Sequence, residues 1–404
     1  MTVTNDPAIS ACLPAYEPSL VIQSQLPMGA CFLVIDETVL GRSWGGFRVA
    51  ENLPLDEVRV LARTMTMKTM LAGIPIGGAK GGVSLSTSQY SREEMLQFTS
   101  MVVGPYVKQH QYFLGTDIGF TESDVDSLYH SVHTKRKVFS QGLNVGDACA
   151  TGISASLEYL QRNGICRYDQ KTVALEGFGR IGIPTAKLLE EEGYRIVAIS
   201  NLAGTLHDSS GLSVPQLLSI PATSPGDILS TYSKNHMSAT ILPRQALTQI
   251  AAEILIPGAR ALVIDPEAAR QMKAKVICPI SNAPVTADAE EILAKAGTVS
   301  MPDIITNSGG LIASFAQHLG ADVTQTKKII VEIIARNLDS VYDDEIGREV
   351  PKKSATAVAL ARLDEIRKSE KIGTLKFLLP WIRALGLNAV LNGFKEYLGL
   401  KVGG

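Results

Sequence analysis

The sequence predicts an α/β fold with two domains. Its patterning changes around residues 140–150, and from Thr172 onward short apolar segments of strand length alternate with helical segments. Such alternation is typical of βαβ units, in which a mostly parallel sheet carries helices on both faces. Before the change, an apolar strand and an amphipathic helix indicate a separate α/β domain. We therefore expect a first domain over residues 1–145 and a second over residues 146–340.

Length and composition limit the functions that the chain can have. Its 404 residues are 45% hydrophobic, which suffices for two or three domains with cores of their own. A formal net charge of −2, with one short basic run at residues 135–137, argues against nucleic acid as a partner. No apolar stretch approaches the ~20 residues that cross a bilayer, and the start of the chain has no secretory signal. The five scattered cysteines follow neither zinc-site nor disulfide spacing, so we expect a cytoplasmic protein with no metal site and no membrane partner.

The first domain shows a strand, a glycine pair and a helix in succession. Residues 31–35 form an apolar run that predicts a buried strand followed by a turn. Gly45 and Gly46 then allow another segment to approach the backbone closely. Asp56 can start a helix whose apolar positions repeat every 3.6 residues, and Gly73 can end it.

The second domain is predicted from a regular order of strands and helices. Together these elements indicate a parallel sheet covered by helices. Strands are expected at residues 173–175, 195–200, 253–257 and 276–279, and helices at residues 183–192, 306–320 and 327–342.

A glycine motif lies between the first strand and the first helix of this second domain. The segment Gly177-Phe178-Gly179-Arg180-Ile181-Gly182 matches the pattern G-x-G-x-x-G in the strand-turn-helix context that the pattern requires. Gly177 permits the tight turn, Gly179 lets the backbone approach a pyrophosphate, and Gly182 lets helix and strand pack closely. The N–H groups at the start of the helix then bind the anion. The motif therefore predicts a Rossmann-type domain that binds NAD or NADP.

The choice between NAD and NADP stays open at the end of the next strand. An acidic side chain about 20 residues beyond the glycine motif normally binds the adenosine ribose. Asn201 stands there, and its amide can bond to a ribose hydroxyl without repelling or attracting a 2′-phosphate. Arg180 lies close enough to bind the phosphates, although a solvated surface position is equally compatible.

Two lysines and an aspartate stand out in the first domain. Lys68 lies on or beside the apolar stripe of its helix, so its ammonium group must reach solvent, pair or face a pocket. Lys80 is flanked by four glycines, whose missing side chains leave room for another group. A desolvated lysine beside another cation has a lowered pKa and can act as a base near neutral pH. Asp117 supplies a carboxylate, although an Asp between glycines is often a turn residue.

Several short motifs occur in a characteristic order along the chain. They are GGFR (45–48), MTMK (65–68), PIGGAKGG (75–82), TDIG (116–119), ATG (150–152), GFGRIG (177–182), SNA (281–283) and PDIITNSGG (302–310). In these motifs the sequence resembles the glutamate/leucine/phenylalanine/valine dehydrogenase family, the NAD(P)-dependent amino-acid dehydrogenases, from about Gly29 to Arg362. The resemblance implies a substrate-binding and oligomerisation domain, a Rossmann domain, and C-terminal helices over residues 341–404 that return to the first domain.

The resemblance also implies a role for each matching residue. Lys68 resembles the lysine that binds the substrate α-carboxylate. Lys80 resembles the catalytic lysine that activates water, and Asp117 resembles the aspartate that carries the proton to and from the amine. The resemblance also implies polar contacts to the cofactor from Thr151, Asn282 and Asn307.

The implied reaction is the reversible oxidative deamination of an L-amino acid. Hydride leaves the α-carbon for the nicotinamide, water adds to the resulting iminium, and ammonia departs to give a 2-oxo acid. The family forms homo-oligomers through the first domain, so a homo-oligomer is implied here. The resemblance does not imply a number of subunits.

Substrate choice is expected to depend on the residue before Gly45. Family members that act on glutamate have a lysine there, which binds the side-chain carboxylate, whereas members that act on branched or aromatic substrates have a small or apolar residue. This chain has Trp44. A second carboxylate would find no cation there on entering a dry pocket, so we expect an apolar or aromatic substrate rather than glutamate. Trp44 could shorten the pocket, stack on a substrate group, or simply pack in the core.

Two other functions fit the same sequence. The first is a family member that acts on a specialised amine or imine substrate in a biosynthetic pathway. The second is a dehydrogenase-like binding subunit without catalysis, and the presence of Lys68, Lys80 and Asp117 argues against it. The apolar pattern of residues 375–398 favours core or subunit packing over a helix on a membrane surface.

Overall fold

The computed structural model describes residues 17–27, 29–85, 90–134, 142–259, 261–343, 345–368 and 372–398. The basic run at residues 135–137 lies outside them. The chain forms two compact units, one made of Met1–Phe139 and Ala359–Gly404 and the other of Ser140–Val358. The predicted two-domain α/β fold is thereby confirmed.

The division points of the two units differ from the boundaries expected after residues 145 and 340. Helix Val145–Arg162 packs against helix Val323–Tyr342, which draws the segment just before residue 145 into the second unit. Lys352 Nζ lies 3.5 Å from Asp303 Oδ1, so the second unit also extends beyond residue 340. Contacts between elements distant in sequence set these limits, and sequence patterning alone did not reveal them.

The first unit is built on a five-stranded sheet of order β1-β2-β4-β3-β5. The pairs β1/β2 and β2/β4 are antiparallel, whereas β3 runs parallel to both β4 and β5. Strand β3 therefore lies between two parallel neighbours, and residues level with each other on the three strands share one face. The strands are β1 (Leu20–Leu26), β2 (Gly29–Ile35), β3 (Ser43–Ala50), β4 (Gly77–Ser84) and β5 (Tyr112–Gly115).

Three helices cover this sheet: α1 (Leu55–Ala72), α2 (Arg92–Lys108) and α3 (Glu122–Ser131). Alternate residues of β2 face different helices, as the period of a strand requires. Phe32 packs in a cluster with Val58 of α1, and Leu33 packs in the larger cluster that α2 and α3 cover. The predicted end of α1 is confirmed, since Gly73 follows it with a left-handed φ of 69°.

The second unit is built on a seven-stranded sheet of order β12-β11-β10-β6-β7-β8-β9. Its first five strands in that order are parallel, as predicted. Strand β8 is antiparallel to both β7 and β9. Strands β8, β9 and β12 were not predicted from the sequence. The strands are β6 (Thr172–Glu176), β7 (Arg195–Asn201), β8 (Gly204–His207), β9 (Thr240–Leu242), β10 (Ile254–Ile256), β11 (Val276–Ile277) and β12 (Val299–Ser300).

Helices surround this second sheet, and a short 3₁₀ helix (Arg244–Gln249) follows β9. The helices are α4 (Val145–Arg162), α5 (Gly182–Glu191), α6 (Val214–Ser219), α7 (Pro225–Asn235), α8 (Pro266–Arg270), α9 (Ala287–Lys295), α10 (Asp303–Thr306), α11 (Gly309–His318), α12 (Val323–Tyr342) and α13 (Glu345–Glu349).

The chain ends in three helices, α14 (Pro351–Lys368), α15 (Ile372–Leu385) and α16 (Leu387–Leu398). Two of their side chains donate hydrogen bonds to backbone carbonyl groups at the end of α1. Arg362 Nη1 donates to Leu71 O at 2.9 Å, and the buried Trp381 donates from Nε1 to Gly73 O at 2.9 Å. Among the described residues, no helix is long and apolar enough to span a membrane.

Candidate active site

The first unit brings Lys80 and Asp117 together through the register of its three parallel strands. Gly46 of β3 is paired with Gly115 of β5, and Lys80 of β4 is level with Gly46 on the other side. Asp117 lies two residues beyond the end of β5, where its carboxylate is within reach of the Lys80 side chain. The Lys80 Nζ atom lies 2.6 Å from Asp117 Oδ2.

The glycine pair of β3 makes this close strand packing possible. A Cβ at Gly45 would stand 1.7 Å from the carbonyl oxygen of Ala79, and one at Gly46 would stand 2.5 Å from that of Thr116. Real side chains do not fit at such distances, so residues larger than glycine would push the strands apart. Gly45 thus lies against Ala79, the residue before Lys80, and lets β4 pack close to β3.

An arginine that was not singled out from the sequence completes the charged cluster. Arg48 donates from Nε to Asp117 Oδ2 at 2.9 Å, and its guanidinium group also pairs with Glu57 of α1. Arg48 and Asp117 are far apart in sequence, and the strand pairing that joins them was not known in advance. The only sequence signal was its place in the GGFR motif.

This cluster changes the acidity of both central groups. Burial alone would raise the pKa of the Asp117 carboxyl, but the combined effect of Lys80 and Arg48 lowers it to about 2. Burial lowers the pKa of the Lys80 ammonium group, Asp117 opposes that change, and the Arg48 cation adds to it. The carboxylate is therefore ionised at neutral pH, and the lysine gives up its proton more readily than an exposed lysine.

Lys68 lies on helix α1, which packs directly on β4. The Thr66 hydroxyl donates to the Asp36 carboxylate and accepts from Gly78 N at 3.0 Å. A Cβ at Gly78 would stand 2.1 Å from Thr66 N, so helix and strand meet backbone to backbone. Lys68, two residues further along α1, is buried. The hydrogen bond between Gly78 and Thr66 thus joins β4, which carries Lys80, to α1, which carries Lys68.

Trp44 shares the sheet face of Lys80. It is paired with Gly78 on one side and with Phe113 on the other. Because side chains two residues apart on a strand point the same way, Trp44 and Lys80 lie on one face. The indole is 9% exposed, and the Arg42 guanidinium stands 5.7 Å from the centre of the Phe113 ring. The position before the glycine pair is therefore aromatic and nearly enclosed.

The glycine motif of the second unit has the geometry that a dinucleotide requires. Gly177 has a φ of 89°, and a Cβ at Gly182 would stand 1.8 Å from Gly177 O. A Cβ at Gly179 would meet no atom within 4 Å, so the backbone there is open to a ligand. Helix α5 starts directly behind it. The cavity beside the motif measures about 390 Å³, and Phe178 and Asn201 help to line it.

The motif's remaining residues and Asn201 are placed as follows. Arg180 is exposed, and Ile181 precedes the first turn of α5. Asn201 lines the cavity, but its amide holds the β7–β8 hairpin. Its Nδ2 donates to Pro225 O at 2.8 Å, and its Oδ1 accepts from Ala203 N at 2.8 Å. The Asn201 amide was expected to bind the ribose, but its Nδ2 and its Oδ1 are both already bonded within the chain.

The polar residues expected near the nicotinamide gather around α10. Asn307 Nδ2 donates to Ser281 O at 3.0 Å and to Asn282 Oδ1 at 3.2 Å. Its Oδ1 is buried and has no hydrogen-bond partner among the described residues. A Cβ at Gly309 would stand 2.1 Å from Ala148 O, which shows how tightly α11 packs on α4, the helix of Thr151.

The donor set of the second unit fits a dinucleotide. The open backbone at Gly179 suits a pyrophosphate, and the unbonded Asn307 Oδ1 suits an N–H donor such as a carboxamide. Among the described residues, no group of three or more His, Cys, Asp or Glu side chains could hold a metal ion.

Comparison with known protein families matches most of the chain. The family Glutamate/Leucine/Phenylalanine/Valine dehydrogenase matches residues 144–369. The dimerisation domain of Glu/Leu/Phe/Val dehydrogenases matches residues 22–134. The chain belongs to this family. It is accordingly an NAD(P)-dependent amino-acid dehydrogenase, an oxidoreductase, as the sequence predicted.

Individual members of the dehydrogenase family are similar over much of their length. The NADP-specific glutamate dehydrogenase of Synechocystis sp. is 29% identical over 303 residues, which are 68% of each chain. Glutamate dehydrogenase A2 of Halobacterium salinarum is 29% identical over 79% of this chain and 80% of its own.

A solved structure shows the same fold. The hetero-hexameric glutamate dehydrogenase of Thermus thermophilus, in its Leu-bound form, superposes with a TM-score of 0.75 at 22% identity. The match covers 91% of this chain and 96% of that one.

Proposed function

We propose that this dehydrogenase acts on an L-amino acid with an apolar or aromatic side chain rather than on glutamate. The observation that carries the proposal is Trp44, which stands where glutamate-specific members are expected to have a lysine. Its indole is nearly enclosed and faces the same way as Lys80, with Phe113 beside it. A carboxylate entering such surroundings would lose its hydration without gaining the lysine that glutamate-specific members are expected to supply.

Lys80 and Asp117 would carry out the proton transfers. NAD(P), held by the glycine motif, would supply the hydride acceptor for the substrate α-carbon, and the substrate would thereby become an iminium. Lys80, in its neutral form, takes a proton from the water that adds to this carbon. Asp117, 2.6 Å from Lys80, takes that proton from the Lys80 ammonium group and passes it to the amine. Lys80, neutral again, takes the proton of the carbinolamine hydroxyl as the C–N bond breaks, so ammonia leaves and a 2-oxo acid remains. An ionised Asp117 also stabilises the Lys80 cation that forms.

The other predicted residues would bind and orient. Lys68 would hold the substrate α-carboxylate, and the motif from Gly177 to Gly182 would hold the pyrophosphate. Asn307, with a buried oxygen that lacks a partner among the described residues, would accept a hydrogen bond from the nicotinamide carboxamide. Thr151 and Asn282 would complete that end of the site. Through the matched dimerisation domain, the chain would form a homo-oligomer.

An exchange at position 44 tests the substrate proposal. Wild type, Trp44→Lys and Trp44→Leu would be assayed with leucine, phenylalanine, arginine, alanine and glutamate by absorbance of the reduced nicotinamide. We expect wild type to prefer an apolar or aromatic substrate. Trp44→Lys should raise kcat/KM for glutamate by about tenfold or more, because it adds a charge-assisted bond.

Trp44→Leu is the matched control, since it removes the indole without adding charge. It should alter the ranking among apolar substrates and leave glutamate poor. A wild type whose best substrate is glutamate would refute the proposal. So would a Trp44→Lys variant that gains no more glutamate activity than Trp44→Leu.

A further inference from the structure

We propose that Arg244 forms a 2′-phosphate subsite in the cavity beside the glycine motif, and that the dehydrogenase therefore prefers NADP over NAD. The inference rests on the proposed dinucleotide site and adds a choice that the sequence left open. Four observations carry it: the charge of the cavity lining, the end of β7, the bonding of Arg244, and the bonding of two neighbouring carboxylates.

The cavity has a cationic lining. The cavity measures about 390 Å³. Its walls come from the glycine motif, the β7–β8 turn, the start of α7, the first residue of the 3₁₀ helix and Ala259. Among its described lining residues, Arg244 alone carries a formal charge, and Thr223 and Ser224 add hydroxyl groups. A cavity lined by one cation and hydroxyl groups favours an anionic ligand over a neutral one.

The end of β7 lacks the group that selects NAD. An acidic side chain there bonds to the 2′-hydroxyl of the adenosine ribose and repels a 2′-phosphate. Asn201 carries no charge, and its amide is occupied by Pro225 and Ala203. The neighbouring Leu202 is 78% exposed and apolar. This turn carries no acidic side chain that would repel a 2′-phosphate or bind a free 2′-hydroxyl.

Arg244 is held in place but not fully bonded. Its backbone oxygen accepts from Thr205 Oγ1 at 3.1 Å, which fixes the start of the 3₁₀ helix. Its Nη2 lies 3.6 Å from Glu176 Oε1, longer than a hydrogen bond. Its Nε is buried and has no hydrogen-bond partner among the described residues. A guanidinium group has five N–H donors, and a phosphate oxygen would satisfy those that remain.

Two carboxylates of neighbouring segments, Glu176 and Asp227, are already engaged. Glu176 Oε2 accepts from Ala259 N at 3.2 Å, and the other oxygen faces Arg244. Asp227, at the first turn of α7, accepts from Thr223 N and Ser224 N at 2.8 and 2.7 Å. These bonds lower the pKa of Asp227 to about 2, so it stays ionised and bound to its own loop. Glu176 orients Arg244, and Asp227 shapes the cavity wall.

Calorimetric titration with two fragments isolates the subsite from the rest of the cofactor. Adenosine 2′,5′-bisphosphate and adenosine 5′-monophosphate differ only in the 2′-phosphate. Wild type should bind the bisphosphate about tenfold tighter or more. Arg244→Gln should remove most of that preference and leave affinity for the monophosphate nearly unchanged. Arg244→Lys, which keeps the charge but loses the planar fork, should retain part of it.

Arg270→Gln is the matched control, because it removes the same charge from an exposed position of α8 outside the cavity lining. It should change neither affinity. Titration of NADPH and NADH by nicotinamide fluorescence should give the same ratios. Equal affinity of wild type for the two fragments, or a preference that Arg244→Gln leaves intact, would overturn the inference while the dinucleotide site stands. If neither fragment nor either dinucleotide binds, the proposed function fails as well.

Discussion

The two units hold their polar groups in opposite ways. In the first unit, Lys80 and Asp117 are joined directly, and Arg48 adds a second cation to the same carboxylate. In the second unit, Arg244 Nε and Asn307 Oδ1 are buried and have no hydrogen-bond partner among the described residues. Groups that bond to each other set each other's pKa and suit proton transfer, whereas unsatisfied groups suit a ligand that completes their bonding.

The largest effect is expected from removing Lys80, the proposed catalytic lysine. Lys80→Ala should lower turnover by about a hundredfold or more, because it removes the amine that is proposed to activate water. Binding of the cofactor should stay nearly intact, since the glycine motif lies in the other unit. Turnover by nicotinamide absorbance and affinity by nicotinamide fluorescence measure the two quantities separately.

Lys80→Arg is the control that keeps the charge. Its guanidinium group cannot release a proton near neutral pH, so this variant should also be inactive. A wild-type rate in either variant would show that the Lys80–Asp117 pair is structural. A parallel loss of cofactor binding would remove the contrast between the two units.

A smaller effect, on pH dependence, is expected from Arg48→Met. In wild type, kcat/KM for deamination should rise with pH as Lys80 loses its proton, and the rise should be complete below the usual lysine pKa of 10.5, because burial lowers the pKa of Lys80. Arg48 adds to this lowering, so its removal should move the rise to higher pH. Asp117 would lose one cation but remain ionised at assay pH.

The pH profile of kcat/KM measures this shift, with Arg59→Met as control. Arg59 is an exposed arginine of α1 that pairs with Asp56, outside the Lys80 cluster. Its removal should leave the profile in place. An unchanged profile in Arg48→Met, or a move to lower pH, would contradict the role of Arg48 in setting the acidity of Lys80.

The smallest effect is expected where the C-terminal helices hold α1. Trp381→Phe removes the N–H group that bonds to Ala72 O and Gly73 O, which should lower the free energy of unfolding by about 1–2 kcal/mol. Because Lys68 lies in the last turns of α1, KM for the amino acid should rise more than kcat falls. Denaturant unfolding and steady-state kinetics measure both.

Tyr90→Phe is the matched control for this loss of one donor. The Tyr90 hydroxyl donates to Pro27 O at 2.7 Å in the same unit, but the bond is exposed. Its removal should cost little, because water replaces it. Equal, small effects in both variants would show that the end of α1 does not depend on Trp381.

Sequence reasoning reached the parts of the site that lie in short motifs. The glycine motif, Lys80 and Asp117 each stand in a recognisable local pattern, and the strand-turn-helix context of residues 177–182 is present in the structure. Arg48 and Arg244 were missed because their roles depend on contacts across the sheets. The role expected of Asn201 depended on a free amide, and the unpredicted β7–β8 hairpin uses that amide.

The substrate preference of the wild-type protein gives the sharpest test of whether its substrate is apolar or aromatic rather than glutamate. The dehydrogenase would be incubated with ammonia, reduced nicotinamide cofactor and the 2-oxo acids of leucine, phenylalanine, arginine, alanine and glutamate, and the loss of nicotinamide absorbance followed. We predict that an apolar or aromatic 2-oxo acid has a kcat/KM at least about tenfold above that of 2-oxoglutarate. A protein for which 2-oxoglutarate is the best substrate would contradict it.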